Sequence, residues 1–108
     1  FYLYLREMNV ISLRTDAEKL KRVARLMKTV SHPVRLSIID LLLEKGAMSV
    51  TDIYENVGIS QSNASQHLKA LEDVGVLGSD RNGKSILYQI QNQQIAQLLH
   101  CVNECTTC

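Results

Sequence analysis

Apolar residues recur along this chain first at helical spacing, then at alternate positions, then at helical spacing again. Leu20, Val23, Ala24, Met27 and Val30 follow at intervals of three and four, while Lys19, Lys21, Arg22, Arg25 and Lys28 fill the other face. The pattern predicts a first helix over about residues 16–29. Thr15-Asp16-Ala17-Glu18 reads as its capping box, in which the Thr15 hydroxyl and the Glu18 carboxylate satisfy orphan amides reciprocally. Ser31-His32-Pro33 restarts the chain, and Pro33 suits a first helical turn because its missing amide has no partner to lose there. Leu36, Ile38, Ile39, Leu42 and Leu43 make the second helix largely core, with Gly46 as its C-terminal cap.

Ser49 can cap a short third helix, Val50 to Val57, with Asp52 in its first turn. Gly58-Ile59-Ser60 is a tight connection, and Ser60 caps a fourth helix to about Val74, ended by Gly75. A short helix, a glycine turn and a longer helix make a helix-turn-helix. The period then changes to two. Val76 to Arg81 and Lys84 to Ile90 read as two strands joined at Asn82-Gly83, the dipeptide that suits a type I′ turn. Ile95, Leu98, Leu99 and Val102 predict a fifth helix from about Asn92 to Glu104. The expected fold is mainly α with a small β-hairpin, a winged helix-turn-helix of about five helices and a two-stranded wing. Residues 1–15 read as a leader and 16–108 as one DNA-binding and dimerisation domain, with Met8 a candidate start.

Three separated stretches give the pattern a family resemblance. Ser31-His32-Pro33-Val34-Arg35-Leu36 resembles the S/D-P-x-R-L opening of the second helix in ArsR/SmtB regulators. Ile59-Ser60-Gln61-Ser62-Asn63-Ala64-Ser65-Gln66-His67-Leu68-Lys69-Ala70-Leu71 resembles their L-S-Q-x-x-x-S-x-H-L-x-x-L recognition helix. Gly75-Val76-Leu77 and Arg81-Asn82-Gly83-Lys84 with Tyr88 resemble their G-L-V and R-x-G-R…Y wing. The resemblance covers about residues 16–104. It implies a homodimer packed through the first and fifth helices, bound to an inverted-repeat operator and released by an inducer.

Charge adds a polarity rather than a class. The formal net charge is only +1. Residues 1–35 hold eight Lys/Arg against three Asp/Glu, and residues 36–108 hold four against eight. On the fourth helix Ala64, Leu68 and Leu71 must face the core, which leaves Ser62, Ser65, Gln66 and Lys69 opposite, Asn63 at the edge and Gln61 at the tip. Short hydrogen-bonding groups with one cation suit a major-groove reader of double-stranded operator DNA. Any solvated helix is polar opposite its core; the tight turn before and the hairpin after make this one a DNA reader. Arg81 and Lys84 straddle the wing turn as phosphate or minor-groove contacts, and Arg35 is a further phosphate candidate. His67 lies about 60° from the core stripe, at ~100° per residue, and suits packing or phosphate contact.

All three cysteines, Cys101, Cys105 and Cys108, fall in the last eight residues. They cannot staple the body of the fold, and their i, i+4, i+7 spacing gathers them in one helical sector. Three thiols suit arsenite, cadmium, zinc or another thiophilic ion, with His100 as a borderline extra ligand; a thiol redox switch and an incidental tail remain alternatives. An unbroken helix separates Cys101 and Cys108 by about 10 Å at ~1.5 Å per residue, whereas two sulfurs on one zinc lie within about 4.6 Å. One chain can supply all three only by unwinding after Cys105; otherwise both subunits contribute. Relative to the family, Ser49-Val50-Thr51-Asp52-Ile53 stands where arsenic and cadmium sensors carry C-V-C-D-L. Asn92-Gln93-Gln94 replaces the fifth-helix D-x-H, and Cys105 and Cys108 align with its H-x-x-H pair.

DNA binding itself calls for no cofactor. No glycine-rich phosphate loop, acid pair or activated nucleophile suggests an enzyme. A winged helix that binds only protein is the remaining class. No apolar run approaches the roughly 20 residues of a membrane helix, and the opening Phe1-Tyr2-Leu3-Tyr4-Leu5 is too short for an export signal. The expected compartment is a reducing cytoplasm, with no membrane partner.

Overall fold

The computed structural model describes residues 14–107. Most of the expected leader and Cys108 lie outside the described residues. The elements follow in the order α1 (Ala17–Val30), α2 (Pro33–Lys45), β1 (Met48–Ser49), α3 (Val50–Val57), α4 (Gln61–Asp73), β2 (Leu77–Asn82), β3 (Ser85–Ile90) and α5 (Gln94–Thr107). The chain is therefore mainly helical, with a small antiparallel sheet, as the periodicities predict.

Local chemistry sets most boundaries. Ser49 and Ser60 each close the N-terminus of the following helix, their hydroxyls accepting the amides of Asp52 and Asn63 at 3.2 Å. Gly58 ends α3 at φ 82°, ψ 38°, the left-handed conformation that costs a residue with a Cβ energy. That bend turns the chain from α3 into α4 within three residues. At the start of α1 the expected capping box gives way to a cap one residue later: the Lys19 amide donates to Asp16 Oδ1 at 3.0 Å. The Asp16 carboxylate is both a short acceptor and an anion at the positive helix end, so it serves there without Thr15 as the cap.

The wing differs from expectation in two respects. Asn82 pairs with Ser85, so the two-residue loop is Gly83-Lys84 rather than Asn82-Gly83. The first loop position of such a primed turn needs positive φ, which Gly83 supplies at 65°. Leu77, Ser79 and Arg81 then share a face with Ile90, Tyr88 and Ile86. The hairpin also gains a third strand: Met48 and Ser49 pair with Tyr88 and Leu87, giving the order β1-β3-β2. Two residues, the second of them the cap of the next helix, carry no alternation from which a strand could be read.

The core is one cluster. Ile38, Ile39 and Leu42 of α2, Ile53 of α3, Leu68 and Leu71 of α4, and Val76, Leu77, Ile90 and Ile95 all bury against one another. The hairpin base is closed by the Gln91 amide donating to the Val76 carbonyl at 2.9 Å. Ser79 donates to Glu72 Oε2 at 2.7 Å, tying β2 to the end of α4. No helix among the described residues is long and apolar enough to cross a membrane.

Leu68 has no exposure and sits where α4 meets this cluster. Leu68→Ala should lower the unfolding free energy by roughly 2–5 kcal/mol, read from urea denaturation. A change below about 1 kcal/mol would mean that α4 does not anchor the core.

Candidate nucleic-acid interface

Helix α4 divides into two faces with different tasks. Ala64, Leu68 and Leu71 are fully buried, while Gln61, Ser62, Asn63, Ser65, Gln66 and Lys69 are exposed. The apolar stripe fixes the helix to α2, α3 and the hairpin and leaves amide, hydroxyl and ammonium groups facing outward. Lys69 lies 3.9 Å from Asp73 in an exposed i, i+4 pair, a contact weak enough for a phosphate to replace. Ser60 satisfies the Asn63 amide, and the amides of Gln61 and Ser62 open the helix at the positive end of its dipole.

The structure brings six of the sequence-predicted residues onto one continuous surface. Arg81 lies exposed on β2 and Lys84 exposed at the tip of the wing, apart from the α4 face. Arg35 is placed otherwise. It is half-buried, donating from Nε to His67 Nδ1 at 3.1 Å and from Nη1 to the Thr29 carbonyl at 3.0 Å. Two of its donors are thus engaged inside the protein, holding the end of α1 to the back of α4.

His67 is half-buried, between the exposed polar face of α4 and the core. Burial, then the charges of His32 and Arg35, hold its pKa below the ordinary 6.5. His32 is a participant that the sequence reading passes over. It caps α2, its Nδ1 accepting the Val34 amide at 3.1 Å, and its ring centroid lies 4.7 Å from that of His67. The signal was its place immediately before Pro33, where a helix needs an acceptor. On the hairpin, burial and then Glu72 raise the Tyr88 pKa above 10.0.

Helix α5 runs unbroken to Thr107, past the expected end at Glu104. Thr106 contributes by donating its hydroxyl to the Asn103 carbonyl at 2.8 Å, keeping a β-branched residue inside the last turn. Cys101 and Cys105 are exposed free thiols one turn apart. His100, on the neighbouring position, faces Glu104 at 3.9 Å. Among the described residues no group of three or more His, Cys, Asp or Glu side chains is assembled to hold a metal ion. Between α1 and α5 lies an apolar groove lined by Met27, Val30, Leu36, Leu98, Leu99 and Val102, with Ser31 as its polar member. Met27 and Val102 are 55% and 51% exposed, so the groove is open rather than part of the core.

A helix-turn-helix domain model matches residues 30–78, which take in α2, α3, α4 and the start of the wing. The biofilm growth-associated repressor of Xylella fastidiosa is 40% identical over 90 residues, covering 82% of this chain and 78% of that protein. The transcriptional repressor PagR of Bacillus anthracis is 34% identical over 97 residues, 90% of each chain. In structure, the chain resembles the homodimeric winged helix-turn-helix DNA-binding domain of a possible ArsR-family regulator from Mycobacterium bovis. That match has a TM-score of 0.77 at 32% identity and covers 84% of this chain and 83% of the other.

The chain belongs to the ArsR/SmtB family of winged helix-turn-helix regulators. In that frame α3 and α4 are the helix-turn-helix, α4 is the recognition helix and β2–β3 the wing. Members of the family are DNA-binding transcriptional regulators rather than enzymes.

Proposed function

We propose that the chain is a homodimeric transcriptional repressor. It reads an inverted-repeat DNA operator with α4, and it leaves that DNA when a thiophilic ion is bound at the cysteines of α5. The observation that carries the DNA-reading half is the division of α4 into a fully buried stripe and an outward surface of Gln61, Ser62, Asn63, Ser65, Gln66 and Lys69. Gln and Asn can pair in bidentate fashion with adenine, and Ser can donate or accept at either base. Lys84 and Arg81 on the wing would hold the flanking backbone. That two of the relatives above are repressors supports the direction of the effect.

Dimerisation follows from the open groove between α1 and α5. A small chain that leaves Met27, Leu98 and Val102 exposed can gain burial by pairing about a two-fold axis. The homodimer from Mycobacterium bovis supports this reading. A dimer also presents two recognition helices, and the low net charge of one chain matters less because each basic contact is doubled.

The release half rests on two free, exposed thiols spaced one turn apart, close enough to reach one ion. Because α5 remains helical to Thr107, a complete site would draw its further ligands from the partner's α5 rather than from an unwound end of the same chain. Arsenite, cadmium and zinc are the inducer chemistries that thiolates suit, and DNA binding in their absence would need no cofactor. The same free thiols also favour a second reading, release by oxidation of the Cys101 and Cys105 pair, in a compartment reducing enough to keep them as thiols.

Readout and release have separate tests. In a gel-shift titration of the gene's own upstream DNA, Gln66→Ala or Ser62→Ala should lose about 1–3 kcal/mol of operator binding and leave random DNA unaffected. Lys84→Ala should weaken both and flatten the salt dependence. Equal losses on both DNAs for Gln66→Ala would remove it from base reading. For release, arsenite, cadmium or zinc should free the operator from the wild type and not from a variant with Cys101, Cys105 and Cys108 all changed to Ser. Unchanged release by that variant would contradict thiol sensing, and release by peroxide alone, reversed by reductant, would favour the redox reading.

A further inference from the structure

Where α1 ends and α2 begins, three half-buried polar side chains meet behind the recognition helix. Arg35 joins them. Its Nε–H donates to His67 Nδ1 at 3.1 Å on α4, and its Nη1–H donates to the Thr29 carbonyl at 3.0 Å in the last turn of α1. His32 lies alongside, its ring centroid 4.7 Å from that of His67 and the planes tilted by 54°. Its Nδ1 is also an acceptor, capping α2 through the Val34 amide at 3.1 Å.

An imidazole nitrogen that accepts carries no proton, so the Arg35 bond requires His67 to be neutral with its proton on Nε2. A second proton on His67 would turn the acceptor of Arg35 Nε–H into a donor, setting two donors and two cations against each other. The groups that act on His67 come from the start of α2, namely His32 and Arg35, and both oppose its protonation, as does its burial. From α1 the cluster receives the Thr29 carbonyl through Arg35, and on α4 the nearest charge, Lys69, stands on the exposed face.

We propose that Arg35 and His67 are positioning residues for DNA reading: their hydrogen bond, which only the neutral imidazole can accept, seats α4 on the scaffold, and acidification through the histidine range unseats it. The proposal rests on the reading of α4 as the DNA-binding helix. Its sign is opposite to that of a histidine that contacts phosphate, whose protonation tightens DNA binding. Linkage gives the fold the same sign. A histidine with a lowered native pKa contributes stability that is complete above about pH 6.5 and is lost as pH falls toward and through the native value.

The test measures affinity for a fluorescent duplex of the gene's upstream region, by anisotropy from pH 8 to 5.5 at fixed ionic strength. The wild type should lose affinity on the order of tenfold, a shift of about 1.4 kcal/mol. His67→Asn should lose most of the pH dependence whatever its affinity at pH 8, because the amide oxygen can stand near the Nδ1 position and does not titrate. A flat wild-type profile, or tighter binding at low pH, would overturn the proposal, as would a His67→Asn profile parallel to that of the wild type. Imidazole NMR of the wild-type protein supplies a readout independent of DNA and of any variant. The backbone amides of Gln61–Asp73 should shift with the titration of His67, resolved from those of His32 and His100. Amides that ignore it would overturn the seating claim, whereas amides that follow it without DNA binding at any pH would overturn the DNA reading and leave the seating intact.

Discussion

The burial of Ala64, Leu68 and Leu71 is the contact on which the rest of this molecule depends. A recognition helix has to be held rigidly from behind because the face it presents consists of short, individually weak hydrogen-bonding groups. Three apolar side chains at i, i+4 and i+7 supply that hold, and Leu68 and Leu71 meet Ile38, Ile39 and Leu42 of α2, Ile53 of α3 and Leu77 of the wing in one cluster. The same stripe fixes the rotation of α4 about its own axis. Turning the helix by one residue, ~100°, would bury a polar reader and expose a leucine. Reading geometry and core stability are therefore set by one set of contacts.

A second layer of contacts fixes the ends of that helix. Ser60 closes the first turn and Ser79 holds Glu72 near the last. Between them Arg35 reaches across from α2 to His67, so α4 is tied at its two ends and its middle. Groups of this kind contribute less to stability than the leucine stripe and more to direction, since a hydrogen bond has an angle and an apolar contact does not. Leu98 and Val102 of the apolar groove between α1 and α5 share a helix with the free thiols of Cys101 and Cys105.

Long periodic elements were legible in the sequence because burial imposes their period. The helices α1 to α4 and the hairpin lie within a residue or two of where spacing puts them, and the split of α4 into core and outward residues follows from angles alone. What escaped was local competition between acceptable alternatives. Asp16 and Thr15 can each cap a helix, and the carboxylate is the one used. Asn82-Gly83 and Gly83-Lys84 both place a glycine in a primed turn, and strand register selects the second. β1 is too short to show a period. The expected end of α5 at Glu104 is passed, and the Thr106 hydroxyl finds a carbonyl within the helix. The Arg35, His67 and Thr29 arrangement joins residues far apart in sequence, which no spacing rule reaches.

Under the proposed function α4 enters the major groove as one of a two-fold pair, carried there by its buried stripe. Hydroxyl-radical footprinting of the gene's upstream DNA tests it most directly. Two protected windows should lie on the same face of the duplex, centred about 10–10.5 base pairs apart or at a multiple of that spacing. A single protected window, or uniform protection without phase, would contradict it.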